Sequence, residues 1–236
     1  HFLLALLRGD LAGTAITGHP GVTTTWLGAL GLAWNVWIAR TISWAQVTAV
    51  GALPTLEVHD AETMRLLAAL LPAAKTFLPL AHTGIALAVY ALLRGLAGRG
   101  AALAALAVLL LDPYYLALSR VLHIDALTAG LMLVSALGAL AHARGGRARR
   151  ALVASGVAAG LAVLTKTYGA FVAPFALAAL AGGALARPRS EGWWRGMTRD
   201  IALWSATASG AFLLGWPALW VAPARTLAGV LGLSLE

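Results

Sequence analysis

Long apolar runs separated by short polar linkers dominate the pattern of residues along the chain. A helix that spans a membrane needs about 20 mostly apolar residues, and such runs recur beyond residue 65. The runs predict spans at about 70–93, 101–119, 124–142, 151–164, 168–186 and 201–222. The pattern therefore predicts an all-α fold, a polytopic integral membrane helical bundle formed by residues 66–236.

One polar break inside this apolar region has a specific meaning. Thr165 to Gly169 places Lys166 between the runs 151–164 and 168–186. Because an ammonium group is costly at the centre of a bilayer, we expect the break to lie at a membrane interface.

Composition excludes the main alternatives to a membrane protein. Hydrophobic residues make up 60% of the chain and charged residues 11%, whereas soluble domains carry about 25% charge. A soluble enzyme, a disordered tail and a fibrous repeat are therefore excluded. The chain has no cysteine, so a disulfide, a thiolate metal site and a cysteine nucleophile are excluded as well.

The net charge of +8 has a pattern that predicts the topology. Three linkers carry most of the arginines: Arg94, Arg99, Arg144, Arg147, Arg149, Arg150, Arg187, Arg189, Arg195 and Arg199. They alternate with linkers that have few positive charges, at about 112–124, 165–169 and 216–225. The positive-inside rule assigns the arginine-rich linkers to the cytoplasm and the others to the outer side. Arginines spread over separate short loops do not indicate nucleic-acid binding.

The first 65 residues are predicted to lie on the outer face. The alternation of arginine-rich and arginine-poor linkers places the acidic end of this segment outside. The apolar run at about 22–38 is short for a span. Its tryptophans, Trp26, Trp34 and Trp37, are distributed along it as in a helix that lies at an interface. We therefore predict a juxtamembrane helix there. The alternative is a true span, which would place residues 1–20 inside.

Ionisable residues at the predicted outer ends of the helices are the candidates for chemistry. Arg120 and Asp125 lie close together in the sequence, and either a surface ion pair or a catalytic and phosphate-binding group explains them. Lys166 is either a snorkelling lysine or a contact for an anionic headgroup. Metal-ligand spacing and nucleotide-binding motifs are absent from the sequence.

Three segments in order resemble the N-terminal half of the GT-C superfamily of membrane glycosyltransferases. The branch is that of the protein O-mannosyltransferases and the aminoarabinose transferase of lipid A. The segments are LLALLRGDLAGTAITGHPGVTTTWLGALGL, DPYYLALSRVLHIDALTAGLMLVSAL and SGVAAGLAVLTKTYGAFVAPFAL. They match the family's first outer loop, its second outer loop with an acidic residue opening the next helix, and its Gly-rich helix ending in Thr-Lys.

The resemblance implies inverting transfer of a hexose or pentose from a polyprenyl-phosphate donor to an acceptor hydroxyl. The acceptor is a lipid, a glycan or a protein, and the active face is extracytoplasmic in a prokaryotic plasma membrane. Asp125 corresponds to a second acidic group, and Arg120, Lys166 and His19 are the available cations for the donor phosphate. His19 stands where many members have a lysine before the proline.

The resemblance also places the family's principal catalytic aspartate before His1, so we expect a fragment that is inactive on its own. A cofactor is not indicated. A divalent metal stays open, although no ligand motif supports one.

Two other classes of function are compatible with a polytopic bundle. A transporter or lipid flippase would use the same charges for translocation, but it predicts inverted repeats, which the sequence does not show. A non-catalytic membrane scaffold would leave the charges at the outer ends without a role.

Overall fold

A computed structural model describes residues 1–15, 20–51, 61–146, 149–186 and 193–234. Across these ranges all regular structure is helical, which confirms the predicted all-α fold. The α-helices are α1 Phe2–Leu7, α2 Val22–Trp37, α3 Trp44–Gly51, α4 Ala61–Ala74, α5 Leu78–Leu111, α6 Pro113–Ser119, α7 Ile124–Ala141, α8 Arg149–Thr165, α9 Val172–Leu185, α10 Trp193–Gly215, α11 Pro217–Val221 and α12 Pro223–Ser234. Short 3-10 turns at Ala12–Thr14 and Thr167–Phe171 and a π-turn at His142–Gly146 connect them.

Helix α5 is a hairpin rather than one rod. A straight helix of its 34 residues would be about 51 Å long. Its residue His82 nevertheless contacts Tyr115 just beyond its end, with Nδ1 3.1 Å from Oη. The reversal occurs at Gly98, whose φ of 85° is in the left-handed region that glycine tolerates. The turn falls between Arg94 and Arg99, in the linker that the sequence predicts.

Three helical stretches of the described chain are long and apolar enough to cross a membrane: Ala61–Leu111, Ile124–Gly145 and Thr167–Leu185. The first contains α4 and both arms of α5. Many large apolar side chains on these stretches are exposed, among them Leu87, Val108 and Phe175. Apolar surface of this kind is stable in lipid rather than in water, so the fold is that of an integral membrane protein.

Helix α8 packs closely against α7 and α10 through small residues. A Cβ added at Gly156 or Gly160 would collide with the backbone of α10, and one added at Gly138 would collide with α8. Between these glycines, Ser155 Oγ donates to the carbonyl of Ser135 at 2.6 Å and accepts from Trp204 Nε1 at 3.0 Å. Close backbone approach and interhelical hydrogen bonds of this type stabilise helix association in lipid.

The bundle has two distinct ends. Helices α7 and α8 are antiparallel, so Asp125 at the start of α7 meets Lys166 just after α8. At the other end, His142 follows α7 and contacts Asp200 in α10. The two ends are separated by about 26 Å along α7, close to the hydrocarbon thickness of about 30 Å. We refer to them as the Asp125 end and the His142 end.

Helix α2 contacts the Asp125 end through both of its own ends. Near its start, Thr23 accepts a hydrogen bond from Thr165 at 2.9 Å. Near its finish, Asn35 donates to Thr76 at 2.7 Å, in the turn that precedes α5. Because both ends of α2 contact the same end of the bundle, α2 lies across that end rather than alongside the other helices. The position of α2 relative to a membrane stays a prediction.

Prolines break two of the predicted spans. Asp112 and Trp216 are both extended, because the residue before a proline avoids the helical region. The predicted span 101–119 is therefore divided into the second arm of α5 and the short helix α6. The predicted span 201–222 is likewise divided into α10 and α11.

Candidate active site

Asp125 lies in the first turn of α7, one residue inside the helix. His123 is the N-cap, and its Nδ1 accepts the Asp125 backbone N–H at 3.3 Å. The Asp125 carboxylate therefore does not cap the helix. Its negative charge is still favourable near the positive end of the helix dipole. It is one-third exposed.

The partner of Asp125 is Lys166, not Arg120. Lys166 Nζ donates to Asp125 Oδ1 at 2.7 Å, and the lysine side chain is 20% exposed. Lys166 is the single extended residue between α8 and the following 3-10 turn, with φ −154° and ψ 138°. The turn folds back on α8 so closely that a Cβ at Gly169 would collide with the Ala162 backbone. The break in the apolar pattern therefore places the Lys166 ammonium group at the start of α7.

Two further side chains surround this ion pair. The Lys166 ammonium lies 5.1 Å from the centroid of the Tyr168 ring, a cation–π contact. His123 Nδ1 lies 3.6 Å from Asp125 Oδ2. The role of Tyr168 was not predicted from the sequence, although an aromatic residue two positions after an interfacial lysine is a recognisable signal.

The other two predicted cations have different outcomes. Arg120 is the C-cap residue that follows α6 at the same end of the bundle. It is exposed and forms no salt bridge within the described ranges. Its guanidinium therefore does not pair with Asp125, whereas the ion-pair alternative predicted that it would. His19 lies outside the described residues.

A largely apolar cavity of about 560 Å³ lies at the same end of the bundle, and Ile124, the residue before Asp125, is part of its wall. Its volume is within the range of about 300–1,000 Å³ that is typical of ligand pockets. Leu122 and Ile124, on either side of His123, form part of its wall. The full lining is His1, Phe2, Leu3, Leu4, Gly21, Thr24, Thr25, Gly28, Ala29, Leu32, Val47, Val50, Leu67, Leu70, Leu122 and Ile124.

The structure also pairs two residues that the sequence did not single out. His142 Nε2 lies 3.0 Å from Asp200 Oδ2 at the His142 end, across 58 positions of sequence. Their common signal is that both lie at the edges of arginine-rich linkers. Across the described ranges, no group of three or more histidine, cysteine or acidic residues could hold a metal ion. Metal dependence stays an open expectation.

The fold is that of a polytopic membrane protein. At one end of its helical bundle, an ammonium group lies near an apolar cavity, an arrangement that can bind a molecule with an anionic head and an apolar chain. The sequence profile of the dolichyl-phosphate-mannose-protein mannosyltransferase family matches residues 64–209. The match covers more than half of the chain and includes Arg120, Asp125 and Lys166. The chain belongs to this family. It is a membrane glycosyltransferase that uses a polyprenyl-phosphate-linked sugar and an acceptor. No curated protein and no solved structure matches it.

Proposed function

We propose that the Asp125 end binds the phosphate of a polyprenyl-phosphate sugar and that the sugar is transferred there with inversion, on the extracytoplasmic face. The observation that carries the proposal is the part-buried Lys166–Asp125 pair beside an apolar cavity. A polyprenyl phosphate has an anionic head and an apolar chain. Its site therefore needs a cation for the head and, next to that cation, an apolar wall for the chain.

The reaction gives each of these groups a task. The acceptor oxygen bonds to the anomeric carbon of the sugar while the bond from that carbon to the phosphate oxygen breaks. The electron pair stays on the phosphate, which gains negative charge, and the acceptor proton passes to a carboxylate. Lys166 stabilises the growing charge on the phosphate. The resemblance assigns the proton to the family's principal aspartate and makes Asp125 the second acidic group.

Asp125 also keeps the Lys166 ammonium in place before the donor arrives. Arg120 is a second cation for the phosphate, because it lies at the same end without a described acidic partner. His19 stays a candidate from the resemblance alone. The sugar acceptor approaches from the aqueous side, where His123 is 45% exposed.

Arginine positions support the extracytoplasmic face. Arg94 and Arg99 flank the hairpin turn of α5, while Arg144, Arg149 and Arg199 lie at the His142 end. The positive-inside rule assigns that end to the cytoplasm, so the Asp125 end lies outside.

Photo-crosslinking tests whether the cavity takes the lipid chain. A polyprenyl phosphate with a diazirine on its first isoprene unit should label Leu122, Ile124 or the α2 residues of the cavity wall. Gly28→Leu should lower this labelling severalfold, because it fills the cavity. Its matched control is Gly84→Leu, where an added Cβ meets open space on α5.

The expected labelling is displaced by an excess of unlabelled polyprenyl phosphate. Adducts confined to the exposed faces of α9 or to the His142 end would contradict the proposed site, and so would equal labelling of the Gly28→Leu protein and wild type.

A further inference from the structure

A second cavity lies between α8, α10 and the π-turn that follows α7, about 26 Å along α7 from Asp125. It encloses about 660 Å³ at the His142 end. Its polar wall consists of His142, Arg149, Arg199 and Asp200, and the remaining wall is small or apolar. The proposed transfer reaction uses none of these groups.

The charges of this wall favour an anion. Both carboxylate oxygens of Asp200 already have partners, since Oδ2 lies 3.0 Å from His142 Nε2 and Oδ1 lies 3.8 Å from Arg199. Arg149 is exposed and forms no salt bridge within the described ranges. Two guanidinium groups and one carboxylate that is already paired therefore line the cavity, which leaves its wall with a net positive charge.

His142 provides a second, independent observation. Its side chain is 6% exposed, and its Nδ1 has no hydrogen-bond partner among the described residues. A carboxylate only accepts hydrogen bonds, so the Nε2 that faces Asp200 carries the hydrogen. Nδ1 of the same ring is then buried without a partner among the described residues, in a side chain that lines the cavity. A buried polar atom without a partner is costly unless a ligand or water satisfies it.

The surroundings of the cavity resemble a membrane interface. Trp194 in the first turn of α10 is 52% exposed, and the Arg195 guanidinium lies 5.5 Å from its ring centroid. Exposed tryptophan beside arginine is typical of the headgroup region of a bilayer. A ligand of this cavity is therefore within reach of the lipid headgroups.

We propose that this cavity binds a phosphate group, as the headgroup of an anionic lipid or as a free phosphate. The Arg149 and Arg199 guanidinium groups hold the phosphate oxygens, since arginine pairs with phosphate through two parallel hydrogen bonds. His142 Nδ1 accepts a hydrogen bond from a ligand hydroxyl. That hydroxyl is a glycerol O–H in phosphatidylglycerol or the P–OH of a monoprotonated phosphate.

Lipid titration tests the proposal on the intact chain in detergent. Native mass spectrometry should show short-chain phosphatidylglycerol binding about tenfold more tightly than the matching phosphatidylcholine. The double variant Arg149→Gln/Arg199→Gln should lose this preference, because each lost charge-assisted contact costs about tenfold or more in affinity. The matched control is Arg94→Gln/Arg99→Gln, which removes two arginines from the α5 turn and should keep the preference.

A further variant separates a binding site from a purely structural ion pair. Asp200→Asn keeps an acceptor for His142 Nε2 but removes the negative charge, so phosphatidylglycerol should bind several-fold more tightly. Inorganic phosphate that competes with the lipid identifies a free phosphate as the ligand, whereas lipid binding without such competition identifies the headgroup. Wild-type affinity in the Arg149→Gln/Arg199→Gln protein would overturn the proposal, and so would an equal loss in the Arg94→Gln/Arg99→Gln control.

Discussion

Replacing Lys166 with methionine should lower sugar transfer by about 100-fold or more. Methionine keeps most of the length and apolar contacts of the lysine side chain but has no charge for the donor phosphate. Removal of one preorganised group that stabilises transition-state charge typically costs about 10²–10³ in rate. Transfer is measured with a polyprenyl-phosphate sugar and membranes that contain the complete gene product.

Lys75 provides the matched control, since it is the other lysine of the chain. It lies in the turn before α5, and Lys75→Met should leave transfer within about twofold of wild type. The loss at Lys166 should not come from unfolding, because Asp125 is one-third exposed and part-solvated ion pairs contribute about 1 kcal/mol or less. Transfer above half of wild type in Lys166→Met would remove Lys166 from the site.

Asp125→Asn should reduce transfer by about two orders of magnitude, within the range for acid–base and electrostatic groups. The change keeps the shape of the side chain, and the N-cap of α7 is His123, so the cap is unaffected. The favourable interaction with the helix dipole is lost, which costs about 0.3–1 kcal/mol, and the part-solvated pair with Lys166 loses its negative charge, which costs about 1 kcal/mol or less. The measurements are the transfer rate and the thermal midpoint of the same preparation.

Asp112→Asn is the control for this substitution. Asp112 lies at the same end and caps α6 by accepting the Tyr115 N–H at 2.6 Å. Asparagine caps a helix nearly as well as aspartate, so transfer should stay close to wild type. Equal rates for Asp125→Asn and wild type at equal stability would reduce Asp125 to a favourable charge at a helix start.

The helices were predictable where the physical signal is local. Long apolar runs predict α7, α8 and α9 because a span must be apolar throughout. Paired arginines predict the turn at Gly98, and the isolated Lys166 predicts the break after α8. The breaks at Asp112 and Trp216 fall at the starts of the predicted linkers 112–124 and 216–225. The predicted spans 101–119 and 201–222 ran past both breaks, although the residue before a proline avoids the helical region.

The site was predictable only in part, because its contacts join distant positions. Lys166 and Asp125 were both candidates, but their pairing depends on the antiparallel packing of α7 and α8. Arg120 is closer to Asp125 in sequence, yet α6 ends at Ser119 and its arginine forms no described ion pair. The sequence places His142 and Asp200 only at the edges of arginine-rich linkers, and their pairing depends on how α7 and α10 both pack against α8.

Analysis of the reaction products tests the central claim most directly. The complete gene product is reconstituted in liposomes with polyprenyl phosphates that carry radiolabelled hexoses or pentoses, together with acceptor material from the native membrane. The account predicts that label leaves the lipid, that one polyprenyl phosphate is released for each sugar transferred, and that the new linkage has the opposite anomeric configuration. Label that moves between leaflets with every sugar–phosphate bond intact would contradict it and would indicate a flippase.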